Sequence, residues 1–153
     1  TPNVHFFEAD ARRPEEFLNR PEVLEIIGGR RDVAIVYWGV GLFLTDDEID
    51  HAAQYLYEWT SAEGCWAFNL QGAGLNKDNP AGVEILDTYA KMGTPAFVRS
   101  LEEYVELLKP WRVDEPGLVP LLEWHGLDSS DMSELDITMF GTAGAGYGAY
   151  LVK

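Results

Sequence analysis

Only one cysteine occurs in this chain, Cys65, inside the apolar run Cys65-Trp66-Ala67-Phe68-Asn69-Leu70. An internal disulfide is therefore excluded, and a lone thiol in such a run reads as a small core residue. Basic residues are scarce too: 11 Lys and Arg stand against 26 Asp and Glu, a formal charge of −15. That charge repels a phosphate backbone, so nucleic acid is not an expected partner, and its plainest role is solubility. No apolar run approaches the roughly 18–20 residues of a membrane helix; the longest, Val33–Leu44, is well short of it. The opening residues Thr-Pro-Asn-Val-His carry neither the basic nor the apolar region of a signal peptide, and a cytoplasmic protein without a membrane partner is expected. His5, His51 and His125 are scattered, without the Cys or carboxylate spacing of a zinc site, and read as packed or surface residues. Neither a Ser-His-Asp nor a Cys-His arrangement can be argued from spacing, and no internal repeat is evident.

What is present is a core. A chain of 153 residues with 46% apolar and 12% aromatic content is long enough for a single α/β domain over residues 1–153. The stretch Val33–Glu48 organises it. Val33 to Trp38 is unbroken apolar sequence rich in β-branched and aromatic types, the pattern of a central strand covered on both faces. Gly39 and Gly41 break the run, and Thr45 with Glu48 three residues on forms a capping box that starts a helix. Strand, turn and capped helix make one βα unit. Ligands of open α/β sheets sit at the carboxyl ends of the strands, which places the first candidate site at Trp38–Leu44.

The rest of the chain is built around that unit. Val4–Phe7 reads as a strand ending in Glu8-Ala9-Asp10-Ala11-Arg12, with Asp10 a candidate ligand or simply a solvated carboxylate. Pro14-Glu15-Glu16 opens a helix whose stripe Phe17, Leu18, Val23, Leu24, Ile27 is interrupted at Pro21 and ends at Gly28-Gly29. A helix over Asp46–Trp59 buries Ile49, Ala52, Ala53 and Leu56; its acidic first turn, Asp46-Asp47-Glu48-Asp50, suits the helix dipole better than a cation. After the strand Cys65–Leu70, the polar Gly-rich segment Gln71–Asn79 is placed to close over a ligand, and Asn79-Pro80 opens the next helix. Ser100 and Glu103 cap another helix, ended by Pro110. Trp111–Trp124 reads as two extended pieces around Glu115-Pro116-Gly117, Ser129–Asp136 as a surface loop, and Tyr147–Val152 as the last strand. Gly141 to Gly148 lacks the preceding strand and following helix and Lys of a phosphate loop, and reads as a flexible entry to that strand. The order β α β α β α α β β is α/β with an antiparallel hairpin at the C-terminal end.

Taken together, Glu8-Ala9-Asp10-Ala11-Arg12, Val33 to Phe43 with Asp46-Asp47, Gly93-Thr94-Pro95 with Arg99-Ser100, and Glu115-Pro116-Gly117-Leu118-Val119-Pro120 with Tyr147-Gly148 carry a resemblance. The chain resembles the actinobacterial-type S-adenosylmethionine-dependent methyltransferases long described as a domain of unknown function. That resemblance implies a Rossmann-like class I sheet of strand order 3-2-1-4-5-7-6 and S-adenosylmethionine as cofactor. It further implies that Asp10 accepts the adenine amino group, that the Ala11 amide meets the ring, and that Trp38-Gly39 lines the cofactor near its reacting end. The acceptor is expected to be a small molecule. Thr1 falls just before the third strand of that fold, so the first two strands and the Gly-rich cofactor loop are missing. A fragment of a longer protein, one half of a two-chain assembly and a homodimer that closes the gap all remain open, as does a non-catalytic relative acting by protein association. Leu42 and Leu70 stand where the family usually has His, which removes any substrate or acid/base role of those histidines.

Overall fold

The structure is a computed structural model that describes residues 3–72, 80–140 and 146–153. Two short helices, α1 (Pro14–Leu18) and α2 (Pro21–Ile26), precede strand β1 (Ala34–Tyr37), helix α3 (Asp46–Trp59) and strand β2 (Cys65–Gln71). Then come α4 (Pro80–Lys91), α5 (Leu101–Leu107), β3 (Arg112–Val113), β4 (Val119–Pro120), α6 (Leu121–Trp124), α7 (Glu134–Phe140) and β5 (Gly146–Val152). Proline opens α1, α2 and α4, where its fixed φ suits the helix and its missing N–H has no intrahelical partner to lose. Both expected capping boxes are formed. Thr45 accepts from the Glu48 amide while Glu48 accepts from the Thr45 amide, and Ser100 and Glu103 repeat the exchange at α5.

Among the described residues the strands form one sheet in the order β1-β2-β5-β3, with β4 also paired to β5. β1 and β2 run parallel, in register from Ala34 opposite Cys65 to Tyr37 opposite Phe68. β5 is antiparallel to β2, β3 and β4. Alternation along the strands puts Ile35, Tyr37, Trp66, Phe68, Leu70, Ala149 and Leu151 on one face. That face packs on Ile49, Ala53 and Leu56 of α3, on Tyr104 and Leu108, and on Trp111.

Several expectations are corrected. Val4–Phe7 is not a strand: no described strand lies beside it, Phe6 stands 96% exposed, and Phe7 instead packs on the Phe17 ring at 5.9 Å. Among the described residues β1 is neither central nor covered on both faces; it stands at the sheet edge with Val36 62% exposed, and α3 covers only the Ile35–Tyr37 side. The two pieces after Trp111 do not form a hairpin with each other. β3 and β4 both add to β5, and the second piece ends early, turning into α6 at Leu121. Ser129–Asp136 is a 3-10 turn and the start of α7 rather than a loop, each opened by a local side-chain cap from Asp128 or Ser133. The Gly-rich segment 73–79, including the Asn79 cap, and Gly141 and Gly144 lie outside the described residues.

Candidate functional site

Parallel pairing brings the carboxyl ends of β1 and β2 to the same edge of the sheet. One residue past Trp38 the backbone turns at Gly39, whose φ of 74° is left-handed and strained for any side-chain-bearing residue. The Gly39 amide donates to Asn69 Oδ1 at 2.7 Å, and Asn69, in β2, is only 2% exposed. A buried side-chain amide on one strand thus fixes the first turn after its neighbour. The chain continues into a 3-10 turn, Gly41–Phe43. Gly41 lies flat on the Phe68 ring, where a Cβ would come within 2.6 Å of Cζ.

From the other side the loop is held by Arg99, 5% exposed. Its Nε donates to Asp46 at 2.7 Å, Nη2 to the Leu44 carbonyl at 2.6 Å and Nη1 to the Gly41 carbonyl at 3.3 Å. The Phe97 amide donates to the Leu42 carbonyl at 2.7 Å. Leu42 itself is buried in this packing. Loop 39–44 is therefore preorganised by contacts from two other segments, β2 and the stretch 97–99.

The Asp10–Ala11 segment reaches the same edge through Tyr37, whose hydroxyl donates to the Ala11 carbonyl at 3.0 Å. Burial, reinforced by the negative charges of Asp10 and Glu15, pushes the Tyr37 hydroxyl up to about 12, so it remains a donor across the physiological range. Asp10 is engaged by Arg12: the Arg12 amide donates to Oδ1 at 3.0 Å, and the guanidinium contributes Nε at 2.9 Å and Nη2 at 2.7 Å. The side-chain bonds from Arg12, then its backbone amide, hold the Asp10 carboxyl down at about 2. With the folded value below the unfolded value near 3.9, this stabilisation is present above about pH 4 and is lost as pH falls toward 2. A carbon-13 titration of the Asp10 carboxyl is expected to show a midpoint near 2, moving up toward the ordinary carboxylate range in Arg12→Gln. An unchanged midpoint in that variant would mean that Arg12 is not the cause.

Asp10 and Ala11, with Pro14, Tyr37 and Val40, line a cavity of about 280 Å³ between α1 and the end of β1. Trp38 and Gly39 follow on the same strand end, but Trp38 points to the opposite face from Tyr37. Its ring lies 5.8 Å from Trp124 and 6.0 Å from His125. The four expected site residues thus share one edge without sharing one cavity. Arg12, Tyr37, Asn69 and Arg99, which position them, were not picked out by spacing as site residues. The one local signal was an Asn inside an otherwise apolar strand.

A family model described as S-adenosyl methyltransferase matches residues 1–147 of this chain. The chain belongs to that S-adenosyl methyltransferase family. S-Adenosylmethionine is accordingly the cofactor of the family. Two solved structures share its fold. One is a DUF574 family protein from Streptomyces avermitilis MA-4680, 24% identical with a TM-score of 0.75, in which the match covers 96% of this chain and 54% of that one. The other, a Thermobifida fusca YX protein carrying a methyltransferase assignment, is 21% identical with a TM-score of 0.74, covering 96% of this chain and 53% of that one. The chain therefore spans about half the length of the solved structures it matches. No curated protein matches it.

The donor set fits parts of the methyltransferase cofactor. Asp10 is an ionised acceptor of the kind an exocyclic amino group needs, beside the largely apolar cavity bounded by Ala11 and Tyr37. Gly39 lets the backbone pass close to a bound group without a side chain in the way.

Proposed function

We propose that this chain forms the adenine-binding and acceptor-facing edge of an S-adenosylmethionine-dependent methyltransferase that acts on a small molecule. The observation that carries the reading is the Tyr37 hydrogen bond to the Ala11 carbonyl, which ties the Asp10–Ala11 segment to the strand that ends in Trp38-Gly39. When bound, S-adenosylmethionine supplies a methyl group on a sulfonium. An acceptor N–H or O–H held at this edge would take that methyl group in exchange for its proton, which would leave to solvent, while the carbon–sulfur electron pair would stay on sulfur. Little chemistry is left to the protein beyond positioning, and positioning alone is worth several orders of magnitude in rate.

Each residue has a task in that frame. Asp10 accepts from the adenine amino group, the Ala11 amide meets the ring, and Trp38 with Gly39 borders the reacting end. Arg99, Asn69 and Phe68 hold the loop that presents them. Among the described residues no strand pairs with the outer edge of β1; in this reading further strands cover it, from the remainder of a longer protein or from a second copy of this chain. Among the described residues no helix is long and apolar enough to cross a membrane, and a cytoplasmic location is part of the proposal.

Isothermal titration of S-adenosylmethionine into this chain tests the reading. Saturable binding is expected, weakened about tenfold or more in Asp10→Ala, the scale of one hydrogen bond to a charged group. Equal affinity in the variant would remove Asp10 from the site. An absence of heat at millimolar cofactor would mean that the isolated edge does not bind, and would favour a non-catalytic role in protein association.

A further inference from the structure

Trp38 is seated in a way that the cofactor contacts do not use. β4 pairs Val119 with Gly148 and Pro120 with Tyr147, and α6 begins at the next residue, which delivers Trp124 onto β5. Gly148 makes the landing possible, since a Cβ there would lie 2.5 Å from Trp124 Cε3. The Tyr150 ring, centroid at 4.7 Å, backs Trp124 from the adjoining position on that face. Trp124 in turn meets Trp38 at 55°, and His125 stands edge-on to Trp38 at 82°. Trp38 remains 40% exposed. A single exposed aromatic needs no explanation, but one braced by two further rings at the carboxyl end of a strand presents a rigid π-surface.

A second observation concerns the turn that follows Trp38. Gln71, at the end of β2, has a side-chain oxygen that is buried and without a hydrogen-bond partner among the described residues. It lies 3.7 Å from where a Cβ on Gly39 would sit, next in sequence to Trp38. A buried acceptor left unmatched is costly and asks for a donor.

We propose that Trp38, Trp124 and His125 form the methyl-acceptor platform, and that the acceptor is a planar aromatic ring bearing a hydroxyl or N–H that donates to Gln71 Oε1. This inference rests on the methyltransferase reading and names its substrate class. The flat rings select a flat ligand, and the orphan carbonyl selects one that carries a proton, which is the state of an acceptor before methylation and not after it.

The test is an NMR titration of 2-naphthol into this chain, followed at the Trp38 and Trp124 indole N–H resonances. Both resonances are expected to shift. Decahydro-2-naphthol, of similar size but saturated, is expected to bind at least tenfold more weakly, and 2-methoxynaphthalene, without the donor, several-fold more weakly. Trp38→Ala weakens naphthol at least tenfold while Trp38→Phe keeps most of the affinity, and Gln71→Met abolishes the preference for naphthol over its methyl ether. Equal binding of the saturated alcohol, or unchanged affinity in Trp38→Ala, would overturn the platform. Displacement of naphthol by S-adenosylhomocysteine would assign the rings to the cofactor and overturn it as well. Cofactor binding without naphthol binding sinks the platform alone. Naphthol binding without any cofactor binding sinks the methyltransferase reading and the acceptor role with it.

Discussion

Phe68→Ala is expected to cost this chain about 3–5 kcal/mol, the range of a fully buried aromatic truncated to a methyl group. Phe68 has no exposed surface and is the hub of the core's rings. It meets Trp66 at 5.1 Å and Tyr104 at 6.0 Å, and is stacked with Tyr37 at 6.5 Å. Those contacts join β1, β2 and α5, so the space left behind has no single neighbour able to fill it. A domain of this size is stable by about 5–15 kcal/mol, so the loss is a large share of the total. It corresponds to a fall of roughly 10 °C in Tm. The damage should also reach function, because Gly41 rests on this ring and Tyr37, which holds Ala11, stacks against it. Val36→Ala is the matching control. At 62% exposed on the opposite face, it should change stability by no more than about 0.5 kcal/mol. Urea denaturation of the two variants decides the matter, and a cost under about 1 kcal/mol for Phe68→Ala would contradict the packing described.

Arg99→Leu is expected to be nearly as harmful, on the order of 3 kcal/mol, and for a reason that its salt bridge does not reveal. The Asp46 partner is 70% exposed, so the pair is a surface ion pair at one end and worth under about 1 kcal/mol. The larger contribution comes from the donor to the Leu44 carbonyl, which would otherwise be left unmatched at about 1–3 kcal/mol, and from the donor to the Gly41 carbonyl, which would keep only the 3.4 Å bond from the Leu44 amide. Asp46→Asn should therefore cost little while Arg99→Leu costs much. Arg99→Lys should fall close to Arg99→Leu, since one ammonium cannot reproduce the fork that spans a carboxylate and two carbonyls. With the clamp gone, loop 39–44 is freed from α3 and from the Phe97 strap, and cofactor affinity should drop in the same variants. Equal losses for Asp46→Asn and Arg99→Leu in urea melts would show the ion pair, rather than the carbonyl contacts, to be what Arg99 provides.

The expected and observed elements part along one physical line. Helix α3 runs from Asp46 to Trp59 as its periodicity indicated, and both capping boxes are formed, because each is satisfied within three or four residues. Strand β2, an apolar run between Gly64 and Gly72, and the apolar end of the final strand were readable from local sequence as well. The proposed adenine contacts of Asp10 and Ala11 rest on the family resemblance; position after an apolar segment makes Asp10 either a candidate ligand or a solvated carboxylate and says nothing of Ala11.

What a residue faces across the fold was not readable. Val4–Phe7 has strand composition and yet pairs with no described strand, and the apolar run of β1 lies at an edge. A strand's neighbours are chosen by the whole sheet, and its own residues state only a preference. The contacts that build the candidate site are longer still: Tyr37 to Ala11 spans 26 residues, Gly39 to Asn69 spans 30, and Arg99 to Leu44 spans 55. Trp38 meets Trp124 only because β4 docks on β5 at a glycine. Local hydrogen bonding and periodicity are properties of a few consecutive side chains and survive in the linear chain. Packing across the sheet depends on which distant segments arrive together, and that was decided by the tertiary structure alone.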